Sequence, residues 1–258
     1  MQKIFFKSKD GLKLCGVWHF LDKPTTKAVV LAHGMTVDKN EEGIIIELAE
    51  LLKDNGFAVF RFDFRGHGES EGKSVDTTIT GEITDVEGAI KEVKRREYKD
   101  IGLLGASVGG GIAALYTEKN QKELKCLCLW NPALNYDHTF LNPITPWLKD
   151  RHKSMMHDLK TKGWTTVGSS KKVYGKKMFD EMAEFKPYKA LKNISIPTVI
   201  IHGTNDRYVS YEDSKNYAQN LNNGKLMTIE GAEHGFHEPK QYSDKAKQET
   251  LKFFLKYL

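Results

Sequence analysis

The feature that most restricts this chain is the rhythm of its apolar runs. Stretches of strand length recur at "LKLCGVWHF" (12–20), "AVVLAHG" (28–34), "FAVFRFDF" (57–64), "IGLLGAS" (101–107), "CLCLWNP" (126–132), "TVIIHG" (198–203) and "KLMTIEG" (225–231). From residue 28 onward most are continuous or nearly so, as strands buried on both faces must be. Helical patterns lie between them. Residues 41–56 carry a helical apolar face and end at Asn55-Gly56, a C-terminal stop signal. Ile79, Ile83, Val86, Ile90 and Val93 fall at three- and four-residue spacing within 78–97. Residues 108–120, 211–223 and 241–258 complete the set. Strands alternating with helices predict βαβ units in a mostly parallel α/β sheet, with the first one or two strands as an antiparallel edge. One interval breaks the rhythm. About 65 residues separate "CLCLWNP" from "TVIIHG", more than one helix and two loops need. Residues 135–195 are therefore expected to be an inserted cap over the carboxyl edge of the sheet, between core segments 1–134 and 196–258.

Composition narrows the class. With 258 residues, 40% apolar and 28% charged, the chain reads as a soluble globular protein whose core needs no staples. No apolar run approaches the roughly 20 residues that span a bilayer, so stable membrane insertion is not expected. The opening "MQKIFFKSKDGLKL" is too soon interrupted by charge for a signal peptide, and a cytoplasmic location is expected. Cys15, Cys126 and Cys128 make no disulfide framework; the last two alternate at strand spacing and read as small hydrophobes on one face. The net charge of +5 is concentrated: residues 149–177 hold nine Lys or Arg against Asp150 and Asp158, a local +7. A solvated face is the default for such a run; attraction of anionic substrates or anionic lipid surfaces is the sharper reading.

The chemistry centres on "GASVG", Gly105 to Gly109, a G-x-S-x-G directly after a strand pattern and directly before a helix pattern. A sharp strand–turn–helix bend needs small neighbours, lifts the Ser107 hydroxyl clear of the sheet and aims the first free helix N–H groups at whatever it attacks. A hydroxyl needs a base to take its proton and an acid to orient that base. In this architecture the chain order is Ser, then Asp or Glu, then His. "VIIHGTNDRYVS" and "MTIEGAEHGFHEP" each follow a strand pattern, so Asp206 is assigned as the orienting carboxylate and His234 as the general base. His237 is the alternative base. His202 falls inside or at the end of its strand, where a structural histidine is expected, and Asp213 falls inside the following helix. Two donors are needed for the oxyanion. Val108 supplies one N–H; the "HGM" loop, His33-Gly34-Met35, supplies the other from Met35, with His33 bracing the loop.

"DFRGHGESEGKS" (63–74) fails as a phosphate loop, because G-x-x-x-x-G-K-[ST] requires Gly where His67 stands. His67, Asp63 and Ser70 are expected to tie down a tight loop beside the site. No His, Cys or Asp cluster has metal-ligand spacing. No cofactor, metal or nucleic acid is expected. In the insertion, Trp147, Met155, Met156, Trp164, Tyr174 and Phe179 are candidates to line a pocket, with Trp147 and Trp164 taken as substrate-binding.

"LAHGM", "FDFRGHGESEG", "LLGASVGG", "IHGTNDRYVS" and "IEGAEHGF" run nearly end to end in the order of the α/β-hydrolase superfamily, which the chain resembles. Within it, the chain is similar to serine esterases that include bacterial cinnamoyl (feruloyl) esterases and monoacylglycerol lipases. The resemblance implies a mostly parallel eight-stranded sheet flanked by helices, with an inserted cap. It places the triad on Ser107, Asp206 and His234 and the oxyanion hole on Met35 and Val108. The expected activity is two-step hydrolysis of small to medium acyl or aryl carboxylic esters. A monoacylglycerol lipase or thioesterase is the alternative, and a hydrolase-fold ligand receptor without turnover is the rival of another class. A homodimer is the base-rate expectation.

Overall fold

The computed structural model of the protein describes residues 1–168 and 172–258. Three strands open the chain: β1 (Gln2–Lys7), β2 (Lys13–His19) and β3 (Lys27–Ala32). Helix α1 (Ile44–Asp54), β4 (Ala58–Phe62), α2 (Ile79–Arg95), β5 (Asp100–Ala106), α3 (Val108–Asn120) and β6 (Cys126–Trp130) follow. The interval before the next central strand holds α4 (Pro146–Thr161), the strands β7 (Trp164–Val167) and β8 (Lys172–Gly175), α5 (Lys176–Glu184) and α6 (Pro187–Ala190). Then come β9 (Thr198–Gly203), α7 (Tyr211–Ala218), β10 (Gly224–Ile229) and α8 (Lys240–Tyr257).

Eight strands form one sheet in the order β1-β2-β4-β3-β5-β6-β9-β10. Within this sheet, among the described residues, only the β1–β2 and β2–β4 pairs are antiparallel, so the edge expected from the strands that precede any helix is present. The central runs are continuous because both faces are covered. On β3, Ala28, Val30 and Ala32 join the core shared with α2 and α3, while Val29 and Leu31 join the core shared with α1 and α8. Cys126 and Cys128 both lie in the second of these cores, buried and unpaired, as small hydrophobes on one face.

Two helices depart from the expected bounds. The helix expected from residue 41 begins at Ile44, because Glu41 and Glu42 take positive φ angles of 42° and 55°. The helix expected over 211–223 stops at Ala218, where turns close from Asn220 to Tyr217 and from Leu221 to Ala218. The side-chain amides of Asn222 and Asn223 bond carbonyls of residues 192 and 195, tying the turn to the segment before β9. The β7–β8 pair was not foreseen. Four-residue strands with partly exposed positions leave little apolar signal. Lys171, counted in the basic run, lies outside the described residues. Among the described residues no helix is long and apolar enough to cross a membrane.

Candidate active site

Ser107 occupies a one-residue bend between β5 and α3, with φ 53° and ψ −120°. Such a conformation is costly for a residue with a side chain and persists only where its surroundings enforce it. Here they do. The Ser107 N–H donates to the Trp130 carbonyl at 2.8 Å, tying the bend to the end of β6. A Cβ on Gly105 would overlap the Gly109 carbonyl oxygen, and one on Gly109 would overlap the His33 carbonyl oxygen. The two glycines of the motif are therefore required by close backbone approach.

The loops after β9 and β10 reach the same edge of the sheet as this bend. They bring Asp206 and His234 to Ser107. The His234 Nε2 lies 3.1 Å from the Ser107 Oγ, and its Nδ1 lies 2.6 Å from the Asp206 Oδ2. A carboxylate accepts only, so Nδ1 carries the proton and Nε2 is free to accept from the serine hydroxyl. Asp206 is held from three further directions. Its Oδ1 accepts the N–H groups of Tyr208 and Val209 at 2.8 and 2.9 Å, and its Oδ2 accepts from the His202 Nε2 at 3.1 Å. The carboxylate accepts only, so His202 carries its proton on Nε2, and its Nδ1 lies 2.7 Å from the Ser214 Oγ. Burial works against an ionised Asp206, but the His234 charge and the hydrogen bonds from His202 and His234 outweigh it and hold the carboxyl far below its usual range. Burial alone would depress His234; the charge and hydrogen bond of Asp206, with a smaller contribution from Glu41, raise it above the ordinary histidine value.

The loop after β3 closes the other side. His33 is buried, accepts the Phe64 N–H at 3.1 Å through Nε2 and donates from Nδ1 to the Gly34 carbonyl at 2.7 Å, so it braces the loop. Burial pushes its pKa down to about 4, and it stays neutral. Met35 and Val108 line the cavity that contains Ser107. Neither backbone N–H has a partner among the described residues, which leaves both as donors for an anion. Thr36 stands at φ 71° and donates its N–H to the Tyr174 hydroxyl at 3.0 Å. That hydroxyl is 3.0 Å from the His67 Nε2, whose Nδ1 bonds the Arg65 carbonyl at 2.8 Å. A run of hydrogen bonds thus joins β8 to the loop beside Ser107 and to the "DFRGHGES" loop. Asp63 and Ser70 hold that second loop: Asp63 accepts the Lys39 Nζ at 2.7 Å and the Glu69 N–H at 2.9 Å, and the Ser70 hydroxyl donates to the Asp63 carbonyl at 2.7 Å.

The cavity measures about 220 Å³, and its apolar lining includes Met35, Phe140, Trp147, Val167, Tyr208 and Val209. Trp147 is therefore where a substrate-binding residue would have to be. Trp164 is not: it sits on β7, 39% exposed, beneath the Lys162 ammonium, away from the cavity lining. Its strand turns it outward while Thr165 and Val167 turn inward. Met155 and Phe179 are buried packing and Met156 is exposed; none of the three lines the cavity. His237 lines the cavity but pairs with Glu42 at 3.8 Å, and it is His234 that meets Ser107. Asp213 lies on α7 and bonds His138 at 2.9 Å. A larger hollow of about 310 Å³ near α3 and α6, lined by Leu115, Phe185 and lysines, brings no nucleophile and base together. Among the described residues no three His, Cys, Asp or Glu side chains are grouped to hold a metal ion. Sequence reasoning passed over Tyr208, whose ring stacks on His234 at 5.2 Å, and over Glu41, which lines the cavity. Neither residue type carries a signal at its position.

Comparison with known proteins agrees with this architecture. A family model described as serine aminopeptidase, S33, matches residues 23–190. A monoglyceride lipase homolog of Monkeypox virus is 27% identical over 92% of this chain and 91% of its own length. The structure of Est1E from Butyrivibrio proteoclasticus with bound ferulic acid superimposes with a TM-score of 0.82 at 23% identity, covering 98% of this chain and 100% of that one. A monoacylglycerol lipase from Paleococcus ferrophilus superimposes with a TM-score of 0.75 at 21% identity, covering 95% and 99%. Both solved structures share the α/β-hydrolase fold, and the family model spans well over half of the sequence: the chain belongs to the serine aminopeptidase, S33, family.

Proposed function

We propose that the protein is a serine carboxylic-ester hydrolase acting on small to medium acyl or aryl esters. The observation that carries this reading is the hydrogen-bonded line from Ser107 through His234 to Asp206, opening into a cavity of mixed polar and apolar lining beside two backbone N–H groups unpartnered among the described residues. Ser107 attacks the ester carbonyl while His234 takes its proton. Met35 and Val108 N–H groups receive the oxyanion, and Asp206 steadies the imidazolium. The acyl–oxygen bond then breaks, and His234 returns the proton to the departing alcohol. Water, deprotonated by His234, repeats the attack on the acyl-enzyme and releases the acid and Ser107.

The cavity, about 220 Å³, is below the range of about 300–1,000 Å³ usual for sites that enclose a drug-sized ligand, which favours a short acyl chain or a single ring. We take residues 135–195 as a cap, because Thr139, Phe140, Trp147, Val167 and Gly168 all come from that interval to line the cavity. Hydroxycinnamoyl esters are a candidate class, supported by the likeness to a fold that holds ferulic acid. Monoacylglycerols are the second reading, supported by the viral monoglyceride lipase homolog that aligns over nearly the whole chain. The deciding experiment compares kcat/KM for p-nitrophenyl butyrate, methyl ferulate and a medium-chain monoacylglycerol, with Ser107→Ala alongside. Turnover of at least one ester, lost in the variant, is expected. Turnover that survives in the variant, or no turnover of any ester, overturns the reading.

A further inference from the structure

Glu41 lines the cavity that holds Ser107 and His234, yet the triad has no use for it. Its exposure is only 9%, and its Oε2 is buried with no hydrogen-bond partner among the described residues. Its Oε1 lies 3.6 Å from the point where a side chain on Gly34 would begin, and that point is 3.1 Å from the Ser107 Cβ. The carboxyl is thus packed against the oxyanion loop within reach of the catalytic line. The backbone that puts it there is strained: Glu41, Glu42 and Gly43 stand in succession at φ 42°, 55° and 99°. A buried carboxyl with one oxygen unpartnered and a left-handed backbone at a residue with a side chain are each unfavourable. Both occur at one residue beside the reacting groups, the kind of site where strain is retained for function.

We propose that Glu41 is a positioning residue for the general base, a second carboxyl that together with Asp206 sets the basicity of His234. The proposal rests on the serine-hydrolase reading, since it assigns His234 the role of base. The charged and titratable groups facing Glu41 are His234 from the loop after β10 and Asp38 and Glu42 from its own loop. Burial pushes Glu41 up to about 7; the His234 charge and the Gly34 backbone oppose this, and Glu42 and Asp38 add to it. Facing His234 are Asp206 and Glu41, and both raise it. The titrations of the two groups are therefore coupled, with Glu41 pushed up to about 7 and His234 raised above its ordinary value. Glu41 stays protonated, and leaves the oxyanion loop free of negative charge, until the pH nears that range. Once ionised it favours the imidazolium that forms when Ser107 loses its proton.

The test is the pH dependence of fluorophosphonate inactivation, and of kcat/KM for p-nitrophenyl butyrate, in the wild type and in Glu41→Gln. Removing the charge should move the acid limb about half a pH unit or more toward lower pH and lower the plateau about 3- to 10-fold. A structural role alone would lower the plateau and leave the limb in place, and that result overturns the proposal. In case the variant does not fold, the His234 ring protons are titrated by NMR in the wild type. A second inflection near the Glu41 value of about 7 is expected; a single-site curve overturns the proposal. If the probe fails to label Ser107 in the wild type, it is the hydrolase reading that falls. If it labels Ser107 with the same limb in both proteins, Glu41 alone loses its role.

Discussion

Asp206 holds two imidazoles on one oxygen and two backbone N–H groups on the other. Four donors keep it ionised well below neutral pH, as the proposed mechanism requires of a group that orients His234 without taking its proton. Asp206→Asn replaces an acceptor with an amide that can turn an N–H toward the His234 Nδ1–H and impose the wrong tautomer. The expected loss is about 10³–10⁴ in kcat with little change in KM, read from steady-state kinetics. His234 must be neutral to act as base, and its pKa is raised, so kcat/KM should climb with pH through a limb above the ordinary histidine value. A profile from pH 5 to 9 with p-nitrophenyl butyrate checks this. Constant activity down to pH 5 would mean that a less basic group accepts the proton.

At the scale of elements, the site is a meeting of strand ends, with β8 as its outer brace. Tyr174→Phe keeps the ring and deletes the hydroxyl that accepts from Thr36 and faces His67. The Thr36 N–H then loses its partner, and the neighbouring Met35 N–H loses its aim. The expected result is a fall of about 10-fold in kcat with KM nearly unchanged, because an oxyanion donor acts mainly in the transition state. Helix α2 carries a different liability, the buried Glu82, which burial, reinforced by Asp85, pushes up to about 8 against the pull of Arg65 and Lys172. The folded state binds this proton more tightly than the unfolded state does. Stability from this group is present at low pH and is lost as pH rises from the ordinary carboxyl range through about 8. Glu82→Gln should therefore melt close to the wild type at pH 5 and above it at pH 9, by about 2–4 °C for each kcal/mol of relief. An equal difference at both values would remove the carboxylate as the cause. The ends of β5, β9 and β10 were legible in the sequence, because runs buried on both faces belong to a parallel sheet whose carboxyl ends share one edge, and Ser107, Asp206 and His234 each follow such a run. Glu41 was not legible: "EEGIIIELAELL" reads as helix from its first letter, whereas residues 41 to 43 stand at positive φ and place the Glu41 carboxyl beside Gly34. Tyr174 stood out in the sequence as a candidate pocket residue, but it does not line the cavity, and its bracing role was hidden because its partners lie 138 and 107 residues away in chain order and its strand has four residues.

Over the whole molecule, the excess positive charge sits on the same interval that lines the cavity. Lys149, Lys153, Met156 and Lys160 form one exposed stripe of α4, at spacings of four, three and four. Lys162 and Lys176 are paired with Asp158 and Asp180, whereas the three lysines of the stripe have no ion pair among the described residues. Trp147, two residues before Lys149 on the same helix, reaches the cavity, so the unpaired charge and the site share one element. A field from such a stripe raises the local concentration of anions and their rate of encounter, while a neutral ester feels little of it. Glu41 and Glu42 at the cavity oppose it, so the attraction belongs to approach rather than to the bound state. Approach is screened as the Debye length shrinks, from about 30 Å at 0.01 M salt to about 10 Å at 0.1 M. For an aryl ester bearing a carboxylate on its acyl chain, kcat/KM should fall about 10-fold over that interval and beyond, with kcat unchanged. The neutral ester of the same length should be nearly insensitive to salt. Replacing the three stripe lysines with Gln should remove the salt response of the anionic ester and leave the neutral one alone. If both esters respond alike, the stripe is a solvated face and nothing more.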